Sequence, residues 1–267
     1  MTRRHRRHGR RLPPGGVVWA RHAIVLDPAT DEVLFDKNSG SAAPCASLTK
    51  LMSTMVFLDQ KPNLERQVDV TNAEIRGGGH TQLRRGEQVK LGDLLHMSLM
   101  CSDNVATRVL ARESGIAPDS FTIRMNSRAA DLGLAGTSFV EPTGLDERNV
   151  STAADIARLL RAAAANDLVS EITTTRGYEF RSLSARGRVR IHHISNTDRL
   201  LYGRYDVRGG KTGFIQESGY CLATWIRTGG RDMIAVVLGA PTKATRFADV
   251  VRLVQHTATP TTAPSGL

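Results

Sequence analysis

The chain has 267 residues, 40% of them hydrophobic and 23% charged, and a formal net charge of +10. That length and balance suit a globular enzyme with a sizeable core, in one large or two small domains. They exclude a low-complexity polymer and a small disulfide-stapled scaffold, since the three cysteines are widely spaced with no C-x-x-C.

Six arginines (Arg3, Arg4, Arg6, Arg7, Arg10 and Arg11) and no acid fall in the first twelve residues, and the remainder carries about +4. Residues 1–16 read as a disordered basic tail. Such a tail is either an arm for an anionic polymer, nucleic acid or membrane surface, or a plain solvated extension. A secretory signal needs an apolar stretch after the basic one. Here Pro13-Pro14-Gly15-Gly16 and the short Val17-Val18-Trp19-Ala20 follow. No later run approaches the ~18 apolar residues of a membrane span, so no transmembrane anchor is expected.

Residues 22–27 and 32–36 flank Pro28-Ala29-Thr30-Asp31 and predict a β-hairpin. Gly40 to Pro44 is a small-residue loop. From Ser47 the pattern turns helical, with Leu48, Leu51, Met52, Met55 and Val56 on one stripe. Residues 76–80 form a glycine-rich loop. Helices are predicted over 91–100, 104–113 and 118–132, and from a capping-box-like Thr152-Ala153-Ala154-Asp155 to about 164. After about 170 the chain turns toward strand, with clear strands at 219–227 and 232–239. An amphipathic helix at 247–256 follows, and 258–267 reads as a flexible tail. Strands near both chain ends with helices between them predict one folded body over 17–257, a sheet built from both ends with a mostly helical insertion.

Three short motifs then combine. Ser47-Leu48-Thr49-Lys50 puts a hydroxyl and an amine three residues apart at a helix start, where they share a face. Serine attacks only after a base takes its proton. Lysine is that base only if burial or a second cation lowers its pKa, and Lys211 is a candidate for that cation. Ser102-Asp103-Asn104 lies between two helical stretches and offers a proton relay and an amide holder. Lys211-Thr212-Gly213, followed by Phe214, precedes a strong strand, so an extended peptide can lie along its edge. Each motif alone is weak, being equally a helix cap, a solvated lysine or a tight turn. Together they form the signature of penicillin-binding proteins and class A β-lactamases. The eight histidines show no metal spacing, adjacent His192 and His193 pointing to opposite faces of a strand. No metal or cofactor is expected.

Ala46-Ser47-Leu48-Thr49-Lys50-Leu51-Met52, Pro142-Thr143-Gly144-Leu145, Asn149-Val150-Ser151-Thr152-Ala153, Asn196-Thr197 and Gly210-Lys211-Thr212-Gly213-Phe214 resemble the serine D-alanyl-D-alanine peptidases, the low-molecular-mass penicillin-binding proteins. The likeness runs from about Ala20 to His256. It implies the β-lactamase/transpeptidase-like α+β fold, an antiparallel sheet flanked by helices plus an all-helical lobe, with the site in the cleft. It implies Ser47 as nucleophile, Lys50 as base, Ser102 as proton relay, and Asn104, Lys211, Thr212, Gly213 and Phe214 as substrate contacts. The backbone N–H groups of Ser47 and Phe214 would form the oxyanion hole, and Arg246 would help hold a substrate carboxylate. The implied partners are peptidoglycan stem peptides, with β-lactams as acylating inhibitors and no nucleic acid. The implied location is the periplasm or cell envelope.

The chain departs from the family pattern at Ile215, where many carboxypeptidases carry threonine, and at Asp103, which makes the second motif β-lactamase-like. The run Phe139 to Leu145 resembles the endopeptidase branch. Cys45 lies two residues before Ser47 and Cys101 beside Ser102, so either a disulfide or two free thiols fits if those serines meet. Two other functions compete. A class A β-lactamase would need a glutamate to position the deacylating water, for which Glu141 is the candidate, although E-x-x-L-N is absent. A non-catalytic wall- or polyanion-binding protein would act through the arginine tail.

Overall fold

The computed structural model describes residues 17–258. The expected tail at 1–16 lies outside the described residues, as does the C-terminal tail apart from Ala258. The expected hairpin is present as β1 (His22–Leu26) and β2 (Val33–Lys37). Its turn is held by Asp27, whose carboxylate accepts from the Ala29 amide. A two-residue strand, β3 (Ala43–Pro44), leads into a 3-10 turn at Ala46–Leu48 and then α1 (Thr49–Leu58). Short elements follow: β4 (Gln67–Asp69), α2 (Asn72–Ile75) and β5 (Gln88–Lys90). The apolar run at 91–100 divides into α3 (Leu91–His96) and a π turn at Met97–Cys101, which ends on Ser102 at φ 63.

Two helices are capped as their sequences require. Asp103 accepts from the Ala106 amide to start α4 (Asn104–Glu113), and Thr152 accepts from the Asp155 amide to start α6 (Ala153–Ala164). Between them lie α5 (Pro118–Asp131), with proline in its first turn, and β6 (Val150–Ser151). Next comes a helix the pattern did not reveal, α7 (Asp167–Thr174), capped by Asn166, which accepts from the Leu168 and Val169 amides. Its threonine-rich end reads as strand by propensity, and the cap prevails. The last elements are β7 (Gly177–Leu183), β8 (Val189–Ser195), a 3-10 turn at Arg199–Tyr202, β9 (Asp206–Ile215), β10 (Gly219–Thr228), β11 (Arg231–Ala240) and α8 (Lys243–Ala258). Thr257, expected at the helix margin, is buried and bonds back to the Leu253 carbonyl, so α8 runs through Ala258.

The main sheet is antiparallel in the order β2-β1-β11-β10-β9 and joins both ends of the chain, with Ile24 opposite Val236 and Ala223 opposite Lys211. One face meets α8 through Leu222, Ile226, Val237, Val250 and Leu253. The other face joins the larger core through Cys221, Ala223, Val236, Ile156 and Leu51. The second lobe holds helices α1 to α6 and also a four-stranded sheet in the order β4-β5-β7-β8. It is therefore not helical throughout. β4 and β5 are three residues each, too short to show a period of two.

Candidate active site

The 3-10 turn before α1 places Ser47 at the seam between the main sheet and the helical lobe. Ala46 holds φ 49 there, an uncommon conformation for alanine. One helical turn on, Lys50 is fully buried and aims its Nζ back at Ser47 Oγ, 3.0 Å away. The same Nζ donates to Asn104 Oδ1 at 2.6 Å and to the Thr143 carbonyl at 2.6 Å. Burial pushes the Lys50 ammonium down to about 7, against the opposing pull of Glu141 and Asp103. The cause is thus desolvation. The suggested second cation, Lys211, instead bears that repulsion itself: burial first and Lys50 second hold its ammonium well below the usual range.

Ser102 sits in the left-handed region just after the π turn. Its Oγ is buried and has no hydrogen-bond partner among the described residues. Asn104 spends its Oδ1 on Lys50 and donates from Nδ2 to the Gly78 carbonyl. Lys211 is buried on β9 and donates to the Thr212 carbonyl at 3.0 Å. Thr212 Oγ1 meets Thr197 Oγ1 at 2.7 Å, and the Thr197 amide and hydroxyl both reach the Met100 carbonyl, tying β9 to the π turn. Gly213 faces the nucleophile: a Cβ there would come within 3.1 Å of both the Ala46 Cβ and the Ser47 nitrogen. Phe214 is half exposed at the rim, its ring 4.3 Å from that of Tyr220.

Arg246 lies at 4% exposure behind β9, where Nη1 donates to the Gly213 and Cys221 carbonyls, and its guanidinium sits 5.6 Å over Tyr220. Cys45 and Cys101 are free thiols. Cys45 donates to the Asn149 carbonyl and Cys101 to that of Met97.

One part of the site escaped the motif reading. The carboxylate of Glu141 accepts from the Thr143, Gly144 and Leu145 amides, from Thr143 Oγ1 and from Asn149 Nδ2. The turn it organises presents the Thr143 carbonyl to Lys50 and lays Gly144, at φ 83, on the Ala46 carbonyl. A Cβ on Gly144 would lie 1.9 Å from that oxygen. The sequence signal for this turn was Pro142-Thr143-Gly144-Leu145, quoted for likeness rather than for function.

A serine hydroxyl touching a buried lysine of lowered pKa, next to the edge strand of a β-sheet, is the arrangement that a serine acyl-transfer enzyme uses. The chain belongs to the D-alanyl-D-alanine carboxypeptidase family, whose model matches residues 11–242. It is 36% identical over 235 residues to a D-alanyl-D-alanine endopeptidase of Pseudomonas aeruginosa, covering 86% of this chain and 74% of that protein. A D-alanyl-D-alanine endopeptidase of Escherichia coli is 33% identical over 234 residues, with the same coverage. Among solved structures, the Streptomyces K15 DD-transpeptidase superposes with a TM-score of 0.85 at 25% identity, covering 90% of this chain and 97% of its own. Penicillin-binding protein D2 of Listeria monocytogenes, in a cefotaxime-bound form, gives 0.79 at 27% identity, covering 92% and 100%.

Proposed function

We propose that this protein is a serine DD-peptidase whose principal action is endopeptidic, opening D-alanyl cross-links between peptidoglycan stem peptides. The observation that carries the serine chemistry is the 3.0 Å contact between Ser47 Oγ and a fully buried Lys50 whose pKa is about 7. Neutral Lys50 takes the Ser47 proton as Oγ attacks the carbonyl after a D-alanine. The oxyanion forms beside the backbone N–H groups of Ser47 and Phe214, which the missing side chain of Gly213 lets approach. Ser102, whose Oγ has no other partner, passes a proton to the leaving amine. Water then hydrolyses the acyl-enzyme. Asn104 and the β9 edge hold the peptide, and Lys211, Thr212 and the guanidinium of Arg246 supply positive charge for a carboxylate beside the scissile bond.

The endopeptidic preference is supported by the relatives named above as endopeptidases. A carboxypeptidase action uses the same atoms, because a 4→3 cross-link also presents a carboxylate next to the bond. β-Lactams would acylate Ser47 in the same geometry. The β-lactamase reading finds no support at Glu141, since both its oxygens are taken by its own turn and Asn149. The tail-mediated binding reading concerns residues outside those described. An enzyme acting on peptidoglycan would work in the periplasm or cell envelope. Among the described residues no helix is long and apolar enough to cross a membrane.

The test is digestion of purified peptidoglycan, with products identified by mass spectrometry. Loss of cross-linked dimers is the expected result. Release of free D-alanine without loss of dimers would assign the protein as a carboxypeptidase instead.

A further inference from the structure

The positive charge of the folded body is unevenly placed. Residues 17–258 hold 30 basic and 26 acidic residues, an excess of four. Segments 75–86 and 180–197 contain Arg76, Arg84, Arg85, Arg181, Arg186, Arg188 and Arg190 and no acid, so the rest of the body is net acidic. The fold brings these two segments together. Gln88 of β5 pairs with Leu183 of β7, and a Cβ on Gly86 would touch the Ala185 side chain at 2.9 Å. Of the acids that border the two segments, Glu87 is buried and consumed internally by Arg190, His192 and Ser182, Glu74 pairs with Arg112, Asp198 is buried, and the exposed Glu179 of β7 pairs with His193 of β8.

That internal cluster fixes the loop against the hairpin and leaves its neighbours outside. Arg84, Arg85, Arg181, Arg186 and Arg188 are all exposed and form no ion pair among the described residues. One exposed acid, Asp69, borders the notch between Arg85 and Ser184. Both basic segments lead into the site. Loop 76–86 passes Gly78, whose carbonyl holds Asn104, and β8 runs from the basic tip to Thr197, which contacts Thr212. β8 is seven residues long, about 23 Å at 3.3 Å per residue. A five-residue stem peptide spans only about 17 Å when extended.

We infer that the β7–β8 hairpin and the 84–86 turn form a basic track that binds carboxylates of polymeric peptidoglycan on stems adjoining the one cut at Ser47. The inference rests on the DD-peptidase reading above. The track gathers the anionic polymer and delivers one stem to the cleft, a role long-range charge performs without contributing to the chemical step.

The experiment is co-sedimentation with insoluble peptidoglycan, comparing the wild type with a variant carrying R84Q, R85Q, R186Q and R188Q, all exposed positions. Wild-type binding should weaken as salt rises, and the variant should bind on the order of 10-fold more weakly at low salt, with a shallower salt dependence than the wild type. Peptidoglycan whose carboxyls have been amidated should lose the wild-type advantage. Labelling by fluorescent penicillin and hydrolysis of a short D-alanyl-D-alanine peptide should be equal in the two proteins. Equal wall binding by both, or undiminished binding to the amidated wall, would overturn the track. So would a preference of the wild type for phosphatidylglycerol vesicles over the wall, which would make the hairpin a membrane-docking element. If neither protein is acylated by penicillin, the DD-peptidase reading fails, and the wall-binding result still decides the track.

Discussion

At the scale of single residues, Lys50 is the group on which the chemistry turns. Its ammonium is held at about 7 by burial, so the amine form grows as pH rises through neutrality. The rate of penicillin acylation should rise with pH, with a midpoint near 7, and level off above it. A midpoint near that of free lysine would remove Lys50 as the base. General-base contributions are typically 10²–10⁴-fold, and Lys50→Ala should lose about that much. Asp198 gives a second prediction. It is 1% exposed, with Oδ1 accepting from the Leu200 amide and Oδ2 without a partner. Burial raises its carboxyl to about 6, against the Leu200 amide and the charges of Arg246 and Lys211. Because this folded pKa lies above the unfolded value, the stabilising proton is fully held below about pH 4 and lost as pH rises through 6. Asp198→Asn keeps the Leu200 bond and cannot ionise. It should therefore gain stability over the wild type on going from pH 4 to pH 7, by on the order of 1–3 kcal/mol in urea unfolding. An equal gap at both pH values would contradict this account of Asp198.

At the scale of elements, what was readable depended on period and length. The hairpin, α4, β10 and β11 were readable because a continuous apolar run or a 3.6-residue stripe persists for several residues in each. α7 was hidden by its threonines, and β4 and β5 by their brevity. The motif serines and lysines were visible as a set, whereas the carbonyl of Thr143 was not, since backbone acceptors carry no residue signature. What places that carbonyl is the Glu141 turn, whose glycine has no room for a side chain. Gly144→Ala should push the turn off Ala46 and Ser47, because both the positive φ and the 1.9 Å approach oppose a Cβ. Acylation should fall at least ~10-fold, a misplacement cost, with far-UV circular dichroism unchanged. Wild-type acylation by that variant would show that the turn does not position the nucleophile.

At the scale of the whole molecule, the site exists because a sheet closed by both chain ends meets a helical lobe inserted between its strands. The 3-10 turn brings Ser47 and α1 brings Lys50, the end of the π turn brings Ser102, and β9 brings Lys211 and Thr212. The order of the motifs along the chain was legible, as was the class of fold. Burial was not: that Lys50, Lys211 and Arg246 are all removed from water follows only from packing. The whole arrangement converges on acylation of Ser47 through Lys50. Intact-protein mass spectrometry after penicillin treatment, with peptide mapping, is the decisive measurement. A single adduct on the peptide containing Ser47, absent from Ser47→Ala, is the expected result. An adduct on Ser102 or on any other residue, or full labelling of Ser47→Ala, would contradict it.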